Sequence, residues 1–197
     1  MEKPKSYCEY IELLDESNVH RDYHNTQYGY PINSDNELFG RLVLEINQAG
    51  LSWTTILNKQ ANFRKAYSEF DIKKVAGYNE QDKERLLKNS GIIRNKLKIN
   101  AAIYNAQKII EIQNTFGSFK NWLDKNHPLD LTNWVSLFKK TFKFTGGEIT
   151  NEFLVSTGYL RGAHVERCPV FNEVIQKGPK WNKQNHGQEN IKTSRDS

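Results

Sequence analysis

The sequence SDNELFGRLVLEINQAGLSW, residues 34–53, carries the clearest helix signal in the chain. Ser34 and Glu37 have the S-x-x-E spacing of a capping box, which marks the start of a helix. From Leu38 onward, apolar residues recur at a spacing of three or four, and Gly50 is typical of a helix end. This stretch predicts an amphipathic helix of about four turns.

Helical periodicity continues along the chain, whereas the alternation typical of strands is scarce. Further helices are predicted over residues 58–70, 80–88, 96–114, 118–124, 131–138 and 149–157. No internal repeat is present. The sequence therefore predicts an all-α domain of several short helices over residues 1–175. A polar, basic tail follows over residues 176–197, and we expect it to be disordered.

The composition limits the class of protein. The 197 residues include 28 Lys and Arg and 23 Asp and Glu, a net charge of +5. The tail holds five basic and two acidic residues, which leaves +2 for residues 1–175, so the charge alone does not indicate a nucleic-acid surface. No apolar run reaches the roughly 18 residues of a membrane helix, and the N-terminus lacks a secretory signal. We expect a cytoplasmic protein without a membrane partner.

Glu45 is the first unusual residue, because it falls within the apolar face of the helix predicted from residue 34. Burial of a carboxylate is costly unless a partner compensates it. Two interpretations stay open: a side chain at the edge of the face that reaches solvent or an arginine, or a carboxylate that faces a binding pocket. Gln48 and Trp53 follow closely, and an amide and an indole beside a carboxylate suit a flat heterocycle.

The sequence GIIRNKLKI, residues 91–99, lies between two predicted helices. Gly91 permits a tight connection, and the N–H groups at the start of the next helix suit a phosphate. Arg94, Lys96 and Lys98 would add positive charge nearby. An ordinary helical hairpin with solvated basic residues is the alternative.

The chain has two cysteines, and Cys168 follows His164 by four residues. That spacing places two metal ligands on one side of a helical turn or of a bent loop. Cys8 and His24 could complete a Cys₂His₂ set, which suits tetrahedral zinc. Two unrelated buried thiols are the alternative.

Five motifs together resemble the DNA-3-methyladenine glycosylase I family, a branch of the helix-hairpin-helix DNA glycosylases. The resemblance covers residues 8–170, and its most specific part is the E-x-x-Q-A-G-L-S-W block. The motifs occur in this order: YHNTQYGYP (23–31), LVLEINQAGLSW (42–53), SGIIRNKLKI (90–99), FKFTG (142–146) and HVERC (164–168).

The resemblance implies a site for the excised base. Glu45 matches the glutamate that recognises the base, with Gln48 in the same block. Trp53 matches the tryptophan that stacks on the base, and Tyr23 matches an aromatic residue that lines the pocket. Glu45 is also the candidate catalytic residue, first through electrostatics and only second as a general base.

The resemblance also implies a structural zinc ion and a DNA-binding hairpin. The zinc ligands would be Cys8, His24, His164 and Cys168, which would join the N- and C-terminal segments. The hairpin that holds the DNA backbone would comprise Ser90, Gly91, Ile92, Ile93 and Arg94.

The implied reaction is hydrolysis of the N-glycosidic bond of 3-methyladenine in alkylated double-stranded DNA, with free 3-methyladenine as the product. The wider superfamily usually has a catalytic aspartate after the hairpin, but NAAIYNAQK, residues 100–108, contains none. No lysine stands at the position that gives bifunctional relatives their lyase activity. We therefore expect a monofunctional, monomeric enzyme that flips its target base out of the duplex.

The sequence departs from the family pattern at several positions. Y-H-N-T-Q-Y-G replaces the usual Y-H-D-x-E-W-G, so Asn25, Gln27 and Tyr28 could change which base fits. Tyr10 replaces the tryptophan of Cys-x-Trp, and His20 stands where an aromatic residue is common. Two alternatives therefore stay open: the same fold acting on another damaged base, or a DNA-binding module without catalysis.

Overall fold

Helices form all the regular secondary structure of residues 3–184, the part of the chain that this computed structural model describes. No strand occurs in that part, which confirms the all-α prediction. Two short 3₁₀ helices, Ser68–Phe70 and Lys180–Gln184, accompany the α-helices. The α-helices are α1 (Tyr7–Glu12), α2 (Val19–Thr26), α3 (Asp35–Gln48), α4 (Trp53–Ala66), α5 (Ile72–Ala76), α6 (Glu80–Lys88), α7 (Lys96–Phe116), α8 (Phe119–Asn126), α9 (Leu131–Thr141), α10 (Gly147–Ser156) and α11 (Pro169–Gln176).

The chain divides into two units. The first unit consists of both chain ends, Met1–Pro31 and Leu154–Ser197, and the second consists of Ile32–Phe153. The predicted domain of residues 1–175 thus contains parts of both units. The 3₁₀ helix Lys180–Gln184 lies inside the segment predicted as a disordered tail, and residues 185–197 lie outside the described residues.

The second unit has an apolar core built around α3. Ser34 caps this helix as predicted, since its Oγ accepts the N–H of Glu37 at 3.4 Å. At the same end, the Asp35 carboxylate accepts the N–H groups of Phe119 and Lys120 and so holds the start of α8. The fully buried side chains of this core include Leu38, Phe39, Leu42, Ile46, Ile56, Phe63, Phe119, Trp134, Phe138 and Phe153.

The helix predicted over residues 58–70 differs from the observed one at both ends. It begins at Trp53, because the side chain of Ser52 accepts the N–H of Thr55 and caps the first turn. It ends at Ala66, and residues 68–70 then adopt left-handed φ angles of 53°, 58° and 58°. This turn places the ring of Phe70 against Gly40, where an added Cβ would lie 2.5 Å from the ring.

Four short helices, α1, α2, α5 and α11, are additions to the predicted set. Three of them begin with a side-chain cap, from Ser6, Asn18 and Asp71 respectively. Each has eight residues or fewer, too few for the apolar periodicity to stand out. Within residues 3–184, no helix is both long and apolar enough to cross a membrane.

Candidate metal centre, base-binding segment and hairpin

The four predicted metal ligands come together in the first unit. Cys8 lies on α1 and His24 on α2, whereas His164 and Cys168 lie in the loop between α10 and α11. That loop bends because the N–H of Cys168 donates to the carbonyl of Val165 at 2.9 Å. All four side chains are buried, and one ligand atom from each lies within 4.8 Å of the other three.

The distances within this cluster fit a tetrahedral metal ion. His24 Nε2 lies 3.4 Å from Cys8 Sγ and 3.7 Å from Cys168 Sγ. His164 Nδ1 lies 3.8 Å from each sulfur and 3.2 Å from His24 Nε2. A zinc ion with bonds of about 2.0 Å to nitrogen and 2.3 Å to sulfur would place its ligands roughly 3.3–3.8 Å apart. The donor set and its dimensions therefore suit zinc.

Each histidine of the cluster is oriented by its second ring nitrogen. His24 Nδ1 donates to Asn25 Oδ1 at 2.7 Å, and His164 Nε2 donates to the carbonyl of Tyr28 at 2.8 Å. A protonated nitrogen on that side leaves the opposite nitrogen with a free electron pair. His24 Nε2 and His164 Nδ1 are consequently the ring atoms available to a metal ion.

Burial also sets the protonation of the cluster. It lowers the pKa of both His24 and His164, so the imidazoles are neutral near pH 7. Burial raises the pKa of the Cys8 thiol to about 11. Because zinc binds the thiolate, metal binding at this cluster would release protons and strengthen as the pH rises.

Aromatic side chains surround the metal cluster within the first unit. Tyr23, a predicted base contact, is buried, and its ring lies 6.4 Å from that of Tyr7 and 5.5 Å from that of Tyr28. The hydroxyl of Tyr7 lies 2.7 Å from His20 Nδ1. His20 is therefore a buried, hydrogen-bonded member of this aromatic group.

The other predicted base contacts lie in the second unit, along the end of α3 and the start of α4. Glu45 is only 4% exposed, which excludes a side chain that reaches solvent but not one that pairs with an arginine. The side-chain amide of Gln48 donates to the carbonyl of Leu51 at 3.3 Å and so helps to form the turn between the helices. Trp53 is the first residue of α4 and is half-buried.

The predicted hairpin connects α6 to α7, and two asparagines shape it. Asn89 Oδ1 accepts the N–H of Gly91 at 2.8 Å, and Asn95 Oδ1 accepts those of Leu97 and Lys98 at 2.9 and 3.1 Å. Two N–H groups of the first turn of α7 are thus already capped and are not open to a phosphate, contrary to the expectation from the sequence.

The side chains of the hairpin divide into exposed and buried ones. Ser90 and Arg94 are exposed, Ile92 is buried, and Gly91 and Ile93 are intermediate. Lys98 fits neither the prediction of a basic residue that faces a phosphate nor the alternative of a solvated one, because its side chain is buried against the end of α3.

The sequence did not predict which groups orient the two histidines, namely the Asn25 side chain and the Tyr28 carbonyl. It also did not predict the close packing at Gly29. At Gly29, φ is +80° and an added Cβ would lie 2.5 Å from the Cβ of Ala163. The glycine in the quoted YHNTQYGYP motif was the available signal, since only glycine adopts this conformation readily.

Comparisons with known proteins agree on one family. The family profile described as methyladenine glycosylase matches residues 14–134. DNA-3-methyladenine glycosylase 1 of Escherichia coli (strain K12) is 34% identical over 165 residues, which cover 74% of this chain and 88% of the relative. DNA-3-methyladenine glycosylase of Haemophilus influenzae is 31% identical over 174 residues, 78% of this chain and 93% of the relative.

Solved structures give the same result. The structure of 3-methyladenine DNA glycosylase I from Staphylococcus aureus matches with a TM-score of 0.72 and 30% identity, over 79% of this chain and 93% of that chain. A point variant of 3-methyladenine DNA glycosylase I, solved in complex with 3-methyladenine, matches with a TM-score of 0.71 and 29% identity, over 79% of this chain and 94% of that chain.

The all-helical fold and these likenesses define an enzyme of the DNA glycosylase class. More narrowly, the chain belongs to the methyladenine glycosylase family.

Proposed function

We propose that this enzyme excises 3-methyladenine from alkylated double-stranded DNA by hydrolysing the N-glycosidic bond, without cleaving the strand. The observation that carries the proposal is the burial of Glu45, 4% exposed on the apolar face of α3 and eight residues before Trp53. A carboxylate kept away from water supports the recognition of a cationic base, because its charge is screened little there.

The chemistry of the substrate explains why a modest catalytic apparatus suffices. Methylation at N3 places a positive charge on the adenine ring, so the ring is already a good leaving group. The charge of Glu45 favours this cation over neutral adenine, and the indole of Trp53 offers a face on which a cationic ring can stack. Water then attacks the sugar carbon as the glycosidic bond breaks, which leaves free 3-methyladenine and an abasic site.

The base must leave the duplex before it can enter a pocket, at a cost of a few kcal/mol. We propose that the hairpin of residues 90–94 holds the DNA backbone during this step. Within residues 3–184, the N–H groups of Ile93 and Arg94 have no acceptor, and the Arg94 side chain is exposed. These two amides and one guanidinium suit a phosphate oxygen.

We propose that Cys8, His24, His164 and Cys168 hold one structural zinc ion. Four protein ligands complete the tetrahedron, which leaves no open position for a substrate or an activated water. The zinc ion would hold the N-terminal and C-terminal segments of the first unit together. We also propose a monomer that acts on DNA in the cytoplasm.

The test uses DNA treated with a methylating agent, from which the released bases are quantified by mass spectrometry. We expect selective release of 3-methyladenine, no release of bases from deaminated DNA, and no nicking of abasic DNA. Release of another damaged base would favour the alternative of a changed lesion. Tight DNA binding by folded, zinc-loaded protein without any release would favour a binding module and overturn the proposal.

A further inference from the structure

A buried lysine in the first turn of α7, just after the hairpin, makes an unusual pair of contacts. Lys98 is the third residue of α7 and is only 6% exposed. Its Nζ donates to the carbonyl of Asn47 at 3.0 Å and to the carbonyl of Ala49 at 2.7 Å. These two carbonyls flank Gln48, at the end of the helix that carries Glu45.

The electrostatics of this contact explain why a cation is tolerated there. The carboxyl end of a helix carries a partial negative charge and carbonyls without helical partners, and an ammonium group neutralises both. Burial lowers the pKa of Lys98, so its charge is costly and depends on these carbonyl partners. A lysine whose only task was to attract phosphate would instead be exposed, as Lys96 is.

A second set of contacts ties the hairpin to α4. Lys59 Nζ donates to the carbonyl of Ser90 at 2.9 Å. A Cβ added to Gly91 would lie 3.1 Å from the Cβ of Asn62, so the hairpin backbone packs closely on this helix. Lys98, four residues after the hairpin, thus holds the end of α3 and the start of the turn at residues 49–52, while the hairpin itself contacts α4, which follows that turn.

We propose that Lys98 is a positioning residue, a role that rests on the function proposed above. It holds the turn between Gln48 and Trp53, so that the hairpin moves as one body with the base-binding segment, which is the end of α3 and the start of α4. DNA held by the hairpin is thereby kept in register with the residues that receive the flipped base. Lys98 itself touches neither the base nor the phosphate.

The test compares Lys98→Met, which keeps the length of the side chain but removes the donors, with a control, Val75→Ala, which removes buried methyl groups from α5. We expect Lys98→Met to lower the rate of 3-methyladenine release at saturating enzyme by about tenfold. We expect its dissociation constant for DNA to stay within about twofold of wild type.

Val75→Ala separates positioning from stability. If it lowers the melting temperature as much as Lys98→Met but keeps the wild-type rate, the proposal stands. Equal rate losses in the two variants, or a loss confined to DNA affinity, would overturn it. Should Lys98→Met fail to fold, Lys98→Gln, which keeps one donor for a carbonyl, replaces it under the same criteria.

A second readout does not depend on activity. The chain contains four tryptophans, so ¹⁹F NMR of protein labelled with 5-fluorotryptophan should give four signals. We expect Lys98→Met to shift or broaden the Trp53 signal more than the other three. An unchanged Trp53 signal would contradict the role of Lys98 even if wild type excised the base, whereas failure of wild type to release any base would contradict the proposed function alone.

Discussion

The two units of this glycosylase differ in what their buried interiors contain. Around its cysteines, the first unit has a small buried cluster of Cys8, Cys168, Val170 and Val174, and it places four potential metal ligands at one point. The second unit has a large apolar core that includes seven buried phenylalanines and Trp134. We therefore expect the folded structure of the first unit to depend on metal binding, and that of the second unit to depend on apolar packing.

The residues with a proposed function also differ in kind between the two units. In the first unit, Asn25 and the Tyr28 carbonyl orient the metal ligands through hydrogen bonds. In the second unit, Glu45 and Lys98 are buried titratable groups within or against the apolar core. Zinc content therefore reports on the first unit, and side-chain packing is tested in the second.

The largest expected effect is the loss of the metal centre. Cys168→Ser should remove zinc and lower the stability of the first unit by on the order of 3 kcal/mol or more, because the binding free energy of a structural metal is folding free energy. Elemental analysis and hydrogen exchange measured for each unit check this result. Val174→Ala, which truncates a buried neighbour, should keep one zinc per chain. Zinc retained in Cys168→Ser would contradict the ligand assignment.

Gly40→Ala should destabilise the second unit and leave the metal centre intact. The new Cβ would lie 2.5 Å from the buried Phe70 ring, so overpacking should outweigh the gain in helix propensity. We expect a net loss of about 1–2 kcal/mol in urea unfolding, with normal zinc content. Gly77→Ala is the control, since its nearest atoms would be at 3.6 and 3.7 Å. Equal stability of Gly40→Ala and wild type would show that the ring has room to move.

The helices of the second unit show how much of the fold the sequence predicts. α6, Glu80–Lys88, has the predicted bounds, because Asn79 and Asp82 form a complete capping box in the local sequence. The left-handed turn at residues 68–70 was not predicted, since none of its residues is glycine or asparagine. Its conformation depends on the packing of Phe70 on Gly40, which is distant in sequence.

In the candidate sites too, the sequence predicts features that depend on residue type and misses those that depend on distant contacts. The metal ligands were identified from their residue types, and the structure confirms that the four come together. The burial of Lys98 was missed because a run of arginine and lysine residues is typical of a solvated surface. The contact of Asn25 with His24 was also missed, since Asn25 differs from the family pattern and suggested a change in the base site.

A smaller effect is expected at Asn25, the hydrogen-bond acceptor of His24. Asn25→Ala should weaken zinc binding by about tenfold, because the outer partner fixes the ring and its basicity. Asn25→Asp should strengthen binding, since a carboxylate is the better acceptor. Competition with a chromophoric chelator measures both, with the exposed neighbour Thr26→Ala as control. An affinity that is the same in all three variants would exclude Asn25 from the metal centre.

The smallest effect concerns pH and His20. Burial lowers the pKa of His20, so the unfolded chain binds its proton more readily than the folded chain does. The stability that neutral His20 contributes is complete above pH 6.5 and is lost as the pH falls toward its pKa in the folded state. The slope is at most about 1.4 kcal/mol per pH unit.

His20→Phe should therefore lose less stability than wild type between pH 7.5 and pH 5.5. Urea unfolding of zinc-loaded protein at the two pH values measures this difference. Tyr10→Phe, which changes an aromatic neighbour without removing an imidazole, should follow wild type. Parallel pH dependence in His20→Phe and wild type would show that His20 does not titrate differently on folding.

The role proposed for the buried carboxylate of Glu45 is to recognise a cationic base and to help release it. Its most direct test is Glu45→Gln, which keeps the shape of the side chain and removes its charge. With methylated DNA and enzyme in excess, we expect release of 3-methyladenine to fall by about 100-fold, with unchanged zinc content. Release at the wild-type rate by folded Glu45→Gln would contradict the account.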